Sequence, residues 1–269
     1  MRTQLRFCLI GIGLVLIAAG ATFSGLVAQA EDTPHDIFSS DTGNITVSQV
    51  QQMSVVIETP GGIIYTDPTG GKSRYASHLA PDVILVSHEH YEHYDANTLE
   101  ELVGGDTQLV VPPFVMEQLP ANLRSKAIPL ANGMASEPGA IHIEATAAYG
   151  LTDQSAQWHP KGRGNGYVVS VDGRRIYIAG SSDAVPEMRQ LKDIDIALLP
   201  LYPPYALGVD DAIEAVSSFK PEVTYIYQYN STRIRDEFVE KMKNSNPSGT
   251  RVVAHAIGSC RTVSLLCSD

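Results

Sequence analysis

The sequence predicts an α/β protein in which β-sheets are flanked by helices, and three observations carry that expectation. Short β-branched runs broken by turn residues fill the first third of the chain, strand-like runs alternate with helical periodicity later, and 43% of the 269 residues are apolar, enough for a substantial core. No long linker, low-complexity tract or repeat interrupts the pattern, so one domain is the simpler organisation.

The chain opens on a different kind of segment. Arg2 and Arg6 precede an uncharged apolar run, residues 7–19, and the stretch ends in Ala28-Gln29-Ala30, a small-x-small sequence. Residues 1–30 therefore read as a secretory signal cut before Glu31, leaving a domain of residues 31–269. The alternative is an uncleaved anchor, because residues 7–30 carry no charge and are long enough to span a bilayer. Both readings put the domain outside the cytoplasm, periplasmic or secreted, and a membrane is a partner only if the segment stays. Cleavage removes Cys8 and leaves Cys260 and Cys267. Paired under oxidising conditions they would contribute about 2.5 kcal/mol, against the alternative of two free thiols, and alkylation before and after reduction separates the two.

After a polar leader over residues 31–43, runs at 54–58 and 63–66 around Gly61-Gly62 read as a hairpin ending in Asp67-Pro68. Residues 83–86 form a continuous apolar run, fit for a strand covered on both faces, and 97–103 read as a helix. Further strands are expected at 108–111, 141–145, 167–171, 175–179, 194–199 and 223–227. Val209, Ala212, Ile213 and Val216 repeat at i, i+3, i+4 and i+7, the apolar face of a helix whose first turn suits Asp210 and Asp211. Phe238 and Met242 mark another helix, and Asp183, before Ala184-Val185-Pro186-Glu187, reads as the cap of a third.

Nineteen Lys and Arg against thirty Asp and Glu give a formal charge of -11, and losing Arg2 and Arg6 brings it to -13. Nucleic acid is therefore disfavoured as a partner and a small-molecule substrate is expected; no oligomeric interface is legible. The chemistry concentrates in Ser87-His88-Glu89-His90-Tyr91-Glu92-His93, on the loop between a strand and a helix. Imidazoles at this density, joined by Glu89 and Glu92, favour a transition-metal site. His35, His78, His142 and His255 have no such companions and are read as structural.

A strand followed by His-x-His-x-acid-His resembles the metal-binding signature of the metallo-β-lactamase superfamily. The likeness is nearest to small bacterial hydrolases that include the ascorbate-phosphate lactonase type. Thr66-Asp67-Pro68, His159-Pro160-Lys161-Gly162 and residues 180–188 and 194–200 also carry it. The resemblance implies an αββα sandwich with a one- or two-metal site at one edge. By position it makes His88, His90 and His159 ligands of the first metal, where three neutral imidazoles and a water would resemble a catalytic zinc site. Glu92 and His93 fall at the second position. Ser181 stands where an aspartate would bridge the metals, and Gln228 where a histidine would ligate, so that position is partly degenerate. About one ion per chain is expected, Zn2+ first, with Mn2+ or Fe2+ the other candidates.

The same resemblance makes Asp67 a residue that orients the metal-binding loop and Glu92 one that orients water or shuttles a proton. Lys161 and Asn165, with Arg163 between them among the glycines of residues 162–166, would offer donors to an anionic substrate or simply form a turn. The implied function is an exported metal-dependent hydrolase that uses a metal-bound hydroxide on an ester, lactone, amide or phosphoester. Ser181 and Gln228 keep open an alternative, a catalytically silent binding protein of the same fold.

Overall fold

Alternation of inward and outward side chains along each strand, followed through the chain, yields four layers. The computed structural model describes residues 33–244, 246 and 248–257, so residues 1–30, expected as a signal, and Cys260 and Cys267 lie outside the described residues. Two seven-stranded sheets are each laid down in chain order. The first comprises β1 (His35–Ser39), β2 (Asn44–Gln49), β3 (Val55–Thr59), β4 (Gly62–Thr66), β5 (Val83–Leu85), β6 (Gln108–Val111) and β7 (Ala127–Pro129). The second comprises β8 (Ala135–Ser136), β9 (His142–Ala148), β10 (Gly164–Val171), β11 (Arg174–Ile178), β12 (Ile196–Leu201), β13 (Val223–Tyr229) and β14 (Arg251–Val253). Each begins antiparallel and turns parallel, at β4–β5 and at β11–β12.

Parallel neighbours need crossovers, and the helices supply them. In the first sheet these are α1 (Ala96–Leu102), α2 (Pro113–Gln118) and α3 (Ala121–Arg124). In the second they are α5 (Pro186–Arg189), α6 (Val209–Phe219) and α7 (Thr232–Asn244), while α4 (Asp153–Trp158) lies in the connection between the antiparallel β9 and β10. Val55, Ile57 and Ile64 point between the sheets with Val169, Ile176, Ile178 and Leu198, whereas their neighbours Val56, Tyr65 and Tyr177 point outward. Outside the first sheet Leu99, Val115 and Leu123 cover it; outside the second, Ala212, Val216, Phe219, Phe238 and Met242 do. The chain is thus an α/β sandwich of the αββα type.

The polar leader is corrected: it contains β1. Its residues alternate between exposed and half-buried because β1 is an edge strand, with Ile37 61% exposed. Asp36 fastens this edge to the other sheet by accepting hydrogen bonds from Tyr225 Oη (2.7 Å) and His255 Nε2 (3.0 Å), so the His255 ring is occupied by a structural partner. Asp183 is also corrected. The cap position of α5 is Val185, and the Asp183 carboxylate instead accepts from Leu151 N (2.7 Å) and Ser155 Oγ (2.6 Å), tying α4 to the second sheet. No described helix is long and apolar enough to cross a membrane.

Candidate metal centre

Loops leaving the carboxyl ends of strands converge at one edge of the sandwich, the usual place for a site in parallel sheets. The loop after β5 brings His88, His90 and His93; the residue that ends α4 is His159; the loop after β11 brings Ser181; and β13 brings Gln228. A register shift opposite Leu199 and Pro200 inserts an extra residue into β13 just before Gln228, the kind of bulge that re-aims a side chain. Two glycines permit the convergence. A Cβ at Gly164 would lie 3.2 Å from His88 Cβ, and one at Gly180, where φ is 64°, would lie 2.7 Å from the Asn165 carbonyl oxygen.

Buried hydrogen bonds fix the tautomers. His88 Nδ1–H donates to Ser87 Oγ (2.9 Å), whose hydroxyl donates to Asp67 Oδ2 (2.7 Å). His93 Nδ1–H donates to the same Oδ2 (2.7 Å), and His159 Nδ1–H donates to the Tyr205 carbonyl (2.9 Å). With Nδ1 carrying the proton in each ring, Nε2 is left as a bare lone pair. His159 Nε2 is buried with no protein partner. His88 Nε2 faces His90 Nδ1 at 3.2 Å, close to the roughly 3.3 Å edge of a tetrahedron of nitrogens about 2.0–2.1 Å from zinc. One ligand atom from each of His88, His90 and His159 lies within 4.8 Å of the others. Ring nitrogens gathered this closely can share one cation, so these residues fit a metal.

Beside this cluster, Ser181 Oγ is 3.3 Å from His93 Nε2, while the Gln228 Oε1 atom is buried without a protein partner. Glu92, Ser181 and Gln228 line the same cavity of about 630 Å³ as His90, His93 and His159. Glu89 also faces it, 2.6 Å from Arg163 Nη2. Lys161 and Asn165 do not line it, which corrects their assignment to substrate. Lys161 pairs with Glu187 (2.9 Å) on another part of the surface. Asn165 is buried, donates to the Leu130 carbonyl (2.7 Å) and accepts from Asn132 Nδ2 (2.7 Å), so its amide is spent within the sandwich.

Sequence reasoning missed Ser87, Tyr205 and Trp158. Ser87 stands beside the histidine run, yet only the fold reveals that Asp67 reaches it. Tyr205 acts through a backbone carbonyl, which leaves no side-chain signature.

Burial is the leading cause that lowers the pKa of all three rings. It holds His88 well below the ordinary histidine value, with help from His93, and lowers His90 against the opposing pull of Glu89. Burial and then His90 take His159 from 6.5 to about 4. The folded chain therefore binds fewer protons than the unfolded chain between these values, so stability falls as pH drops from about 6.5 towards about 4. His159 alone accounts for about 3 kcal/mol of that loss. The melting temperature of chelator-treated protein is expected to fall across this window, and less steeply in His159→Gln. An equal slope in the variant would assign the loss to other groups.

Known proteins share this chain's sequence and fold. Residues 46–226 match the family described as the β-lactamase superfamily domain. A metal-dependent hydrolase of Thermoplasma volcanium is 31% identical over 162 residues, covering 58% of this chain and 69% of the relative. The solved structure of a candidate metal-dependent hydrolase from Parabacteroides distasonis superposes with a TM-score of 0.75 at 31% identity, covering 84% of this chain and all of that one. A metallo hydrolase of Ignicoccus hospitalis shares the fold at 19% identity with a TM-score of 0.64, over 80% of this chain and 96% of its own. Its two sheets, its histidine loop and these relatives together make the chain a member of the metallo-β-lactamase superfamily.

Proposed function

We propose that this chain is an exported, metal-dependent hydrolase of a small-molecule ester, lactone, amide or phosphoester, working with about one divalent ion, zinc first, held by His88, His90 and His159. The observation that carries the reading is the set of inward-facing ring nitrogens, with His159 Nε2 buried and unpartnered. Relatives named as metal-dependent hydrolases support the reaction class. A bound divalent ion would supply Lewis acidity to the scissile group and to water.

The protein's own residues do the rest. Asp67, through Ser87 and directly at His93, keeps the Nδ1 atoms protonated and the rings aimed inward. Glu92, on the wall of the same cavity, takes the proton of the attacking water. Ser181 and Gln228 offer neutral oxygens where a second ion would need charge, which supports a single ion.

The test uses protein recovered from the exporting host's periplasm, where intact mass should place the mature start at Glu31. Metal analysis is paired with a panel of chromogenic esters, lactones, anilides and phosphodiesters. Turnover that is lost with a chelator and restored by zinc is the expected result. Tight metal with no turnover across the panel would favour the silent binding protein instead.

A further inference from the structure

Resting on the hydrolase reading, we infer that the substrate carries an oxyanion, a carboxylate or a phosphate, away from its scissile bond, and that a second chamber built on Arg235 and the first turn of α7 receives it. The metal cavity does not end at the histidines. Tyr91, Glu92, Tyr202 and Gln228 line both it and a further chamber of about 320 Å³, so a two-part molecule can occupy the pair.

Arg235 is the one lysine or arginine among the described residues lining either chamber, and its side chain is only 15% exposed. Its Nε and Nη2 donate to Asp236 at 2.8 and 2.6 Å. Nη1 reaches the Tyr229 hydroxyl and the His255 carbonyl only at 3.5 Å, the outer limit of a hydrogen bond. The guanidinium therefore keeps donors for a ligand, and because Asp236 is 63% exposed, water screens that ion pair.

Asn230, Ser231 and Thr232 bring the start of α7 to the same chamber. Ile234 N donates to Ser231 Oγ (3.4 Å), while the N–H groups of Thr232 and Arg233 have no acceptor within the helix, whose 13 residues leave partial positive charge at this end. Gln228 is an independent sign of a missing ligand: it is 3% exposed, lines the chamber and has Oε1 buried without a protein partner. An amide turned end for end presents N–H to an incoming oxygen.

Charge decides the class of ligand. The ion proposed at His88, His90 and His159 adds positive charge in the neighbouring cavity, and Glu92 stands on the wall that both chambers share. A molecule with its scissile group at the ion and an anion at its far end places that anion on Arg235, where it gains charge-assisted hydrogen bonds that a neutral end cannot make.

Hydroxamates chelate zinc and leave the rest of the molecule free, so they separate the two chambers. Zinc-loaded protein is titrated calorimetrically with straight-chain alkyl hydroxamates of increasing length, ending in methyl, carboxylate or phosphonate. At one length a charged end should lower Kd about tenfold relative to the methyl end, and the better of the two names the oxyanion. Arg235→Gln should reduce that ratio to about two; should it not fold, Arg235→Met, which keeps an apolar stem in place, carries the same arm. No preference for a charged end at any length overturns the inference. So does a preference unchanged in the variant, which would assign it to the ion alone. Because the ratio reads binding, a charged-end preference without turnover across the ester, lactone, anilide and phosphodiester panel would sink the hydrolase reading and leave this one standing. Turnover without the preference would do the reverse.

Discussion

Combining Ser181→Asp with Gln228→His should raise the tight zinc content of the purified protein from about one to about two per chain. Ser181 Oγ already lies 3.3 Å from His93 Nε2, and Gln228 Oε1 is buried and unpaired on the same wall. What the native position lacks is a bridging carboxylate, since Glu92 is its one anionic candidate. Two divalent ions about 3.5–4 Å apart repel by roughly 18 kcal/mol at an effective dielectric near 20, which a bridging carboxylate offsets and a serine hydroxyl does not. His88→Ala in either background should remove the first ion, since the remaining imidazoles cannot close a three-nitrogen set. Elemental analysis after exhaustive dialysis decides it. Two tight ions in the unmodified protein would show that the ligand assignment is wrong.

Asp67→Ala is expected to weaken zinc binding by roughly 10–100-fold and to lower the melting temperature by about 10 °C. Asp67 is 1% exposed and accepts bonds from Ser87 N, Ser87 Oγ and His93 Nδ1, each at 2.7 Å. Removing the carboxylate strands those donors in the interior, at about 3–5 kcal/mol for a broken buried network. It also frees His88 and His93 to change tautomer, and a ring protonated at Nε2 cannot ligate through that atom. Asp67→Asn suits the residue's positive φ of 42° but puts an amide N–H against the donors, so it should retain more stability than metal affinity. Calorimetry with competitive zinc titration checks both. A melting temperature within 2 °C of the parent and unchanged affinity in Asp67→Ala would remove Asp67 from the site.

Most of the sheet architecture was legible because buried strands announce themselves through apolar side chains. β6 falls on the expected residues 108–111, and α6 starts at Val209. Failures cluster where the local signal serves a tertiary purpose. Residues 162–166 look like a turn because they are rich in glycine, yet β10 begins at Gly164. Those glycines exist for close approach: a Cβ at Gly166 would lie 2.6 Å from Thr146 Oγ1. Misreading them put Asn165 on a loop and made it a substrate donor. Lys161 misled similarly, since a cation two residues from a histidine says nothing of Glu187, which arrives from a later helix. The histidine cluster stood out by its density. The Tyr205 carbonyl, which sets the His159 tautomer, carries no side-chain mark.

Each sheet is assembled from one continuous half of the chain, and the metal centre straddles the two. Asp67, His88, His90 and His93 belong to the half made first by the ribosome, and His159, Ser181 and Gln228 to the half made second. Neither half alone can assemble His88, His90 and His159, so a nascent chain that has completed only its first sheet offers an ion a loop of imidazoles without the third wall. Ion affinity is then a report on docking between the halves, and the affinity gained over the lone loop is added to the seam that joins them. That arrangement defers metal selection to the moment at which the second sheet docks on the first.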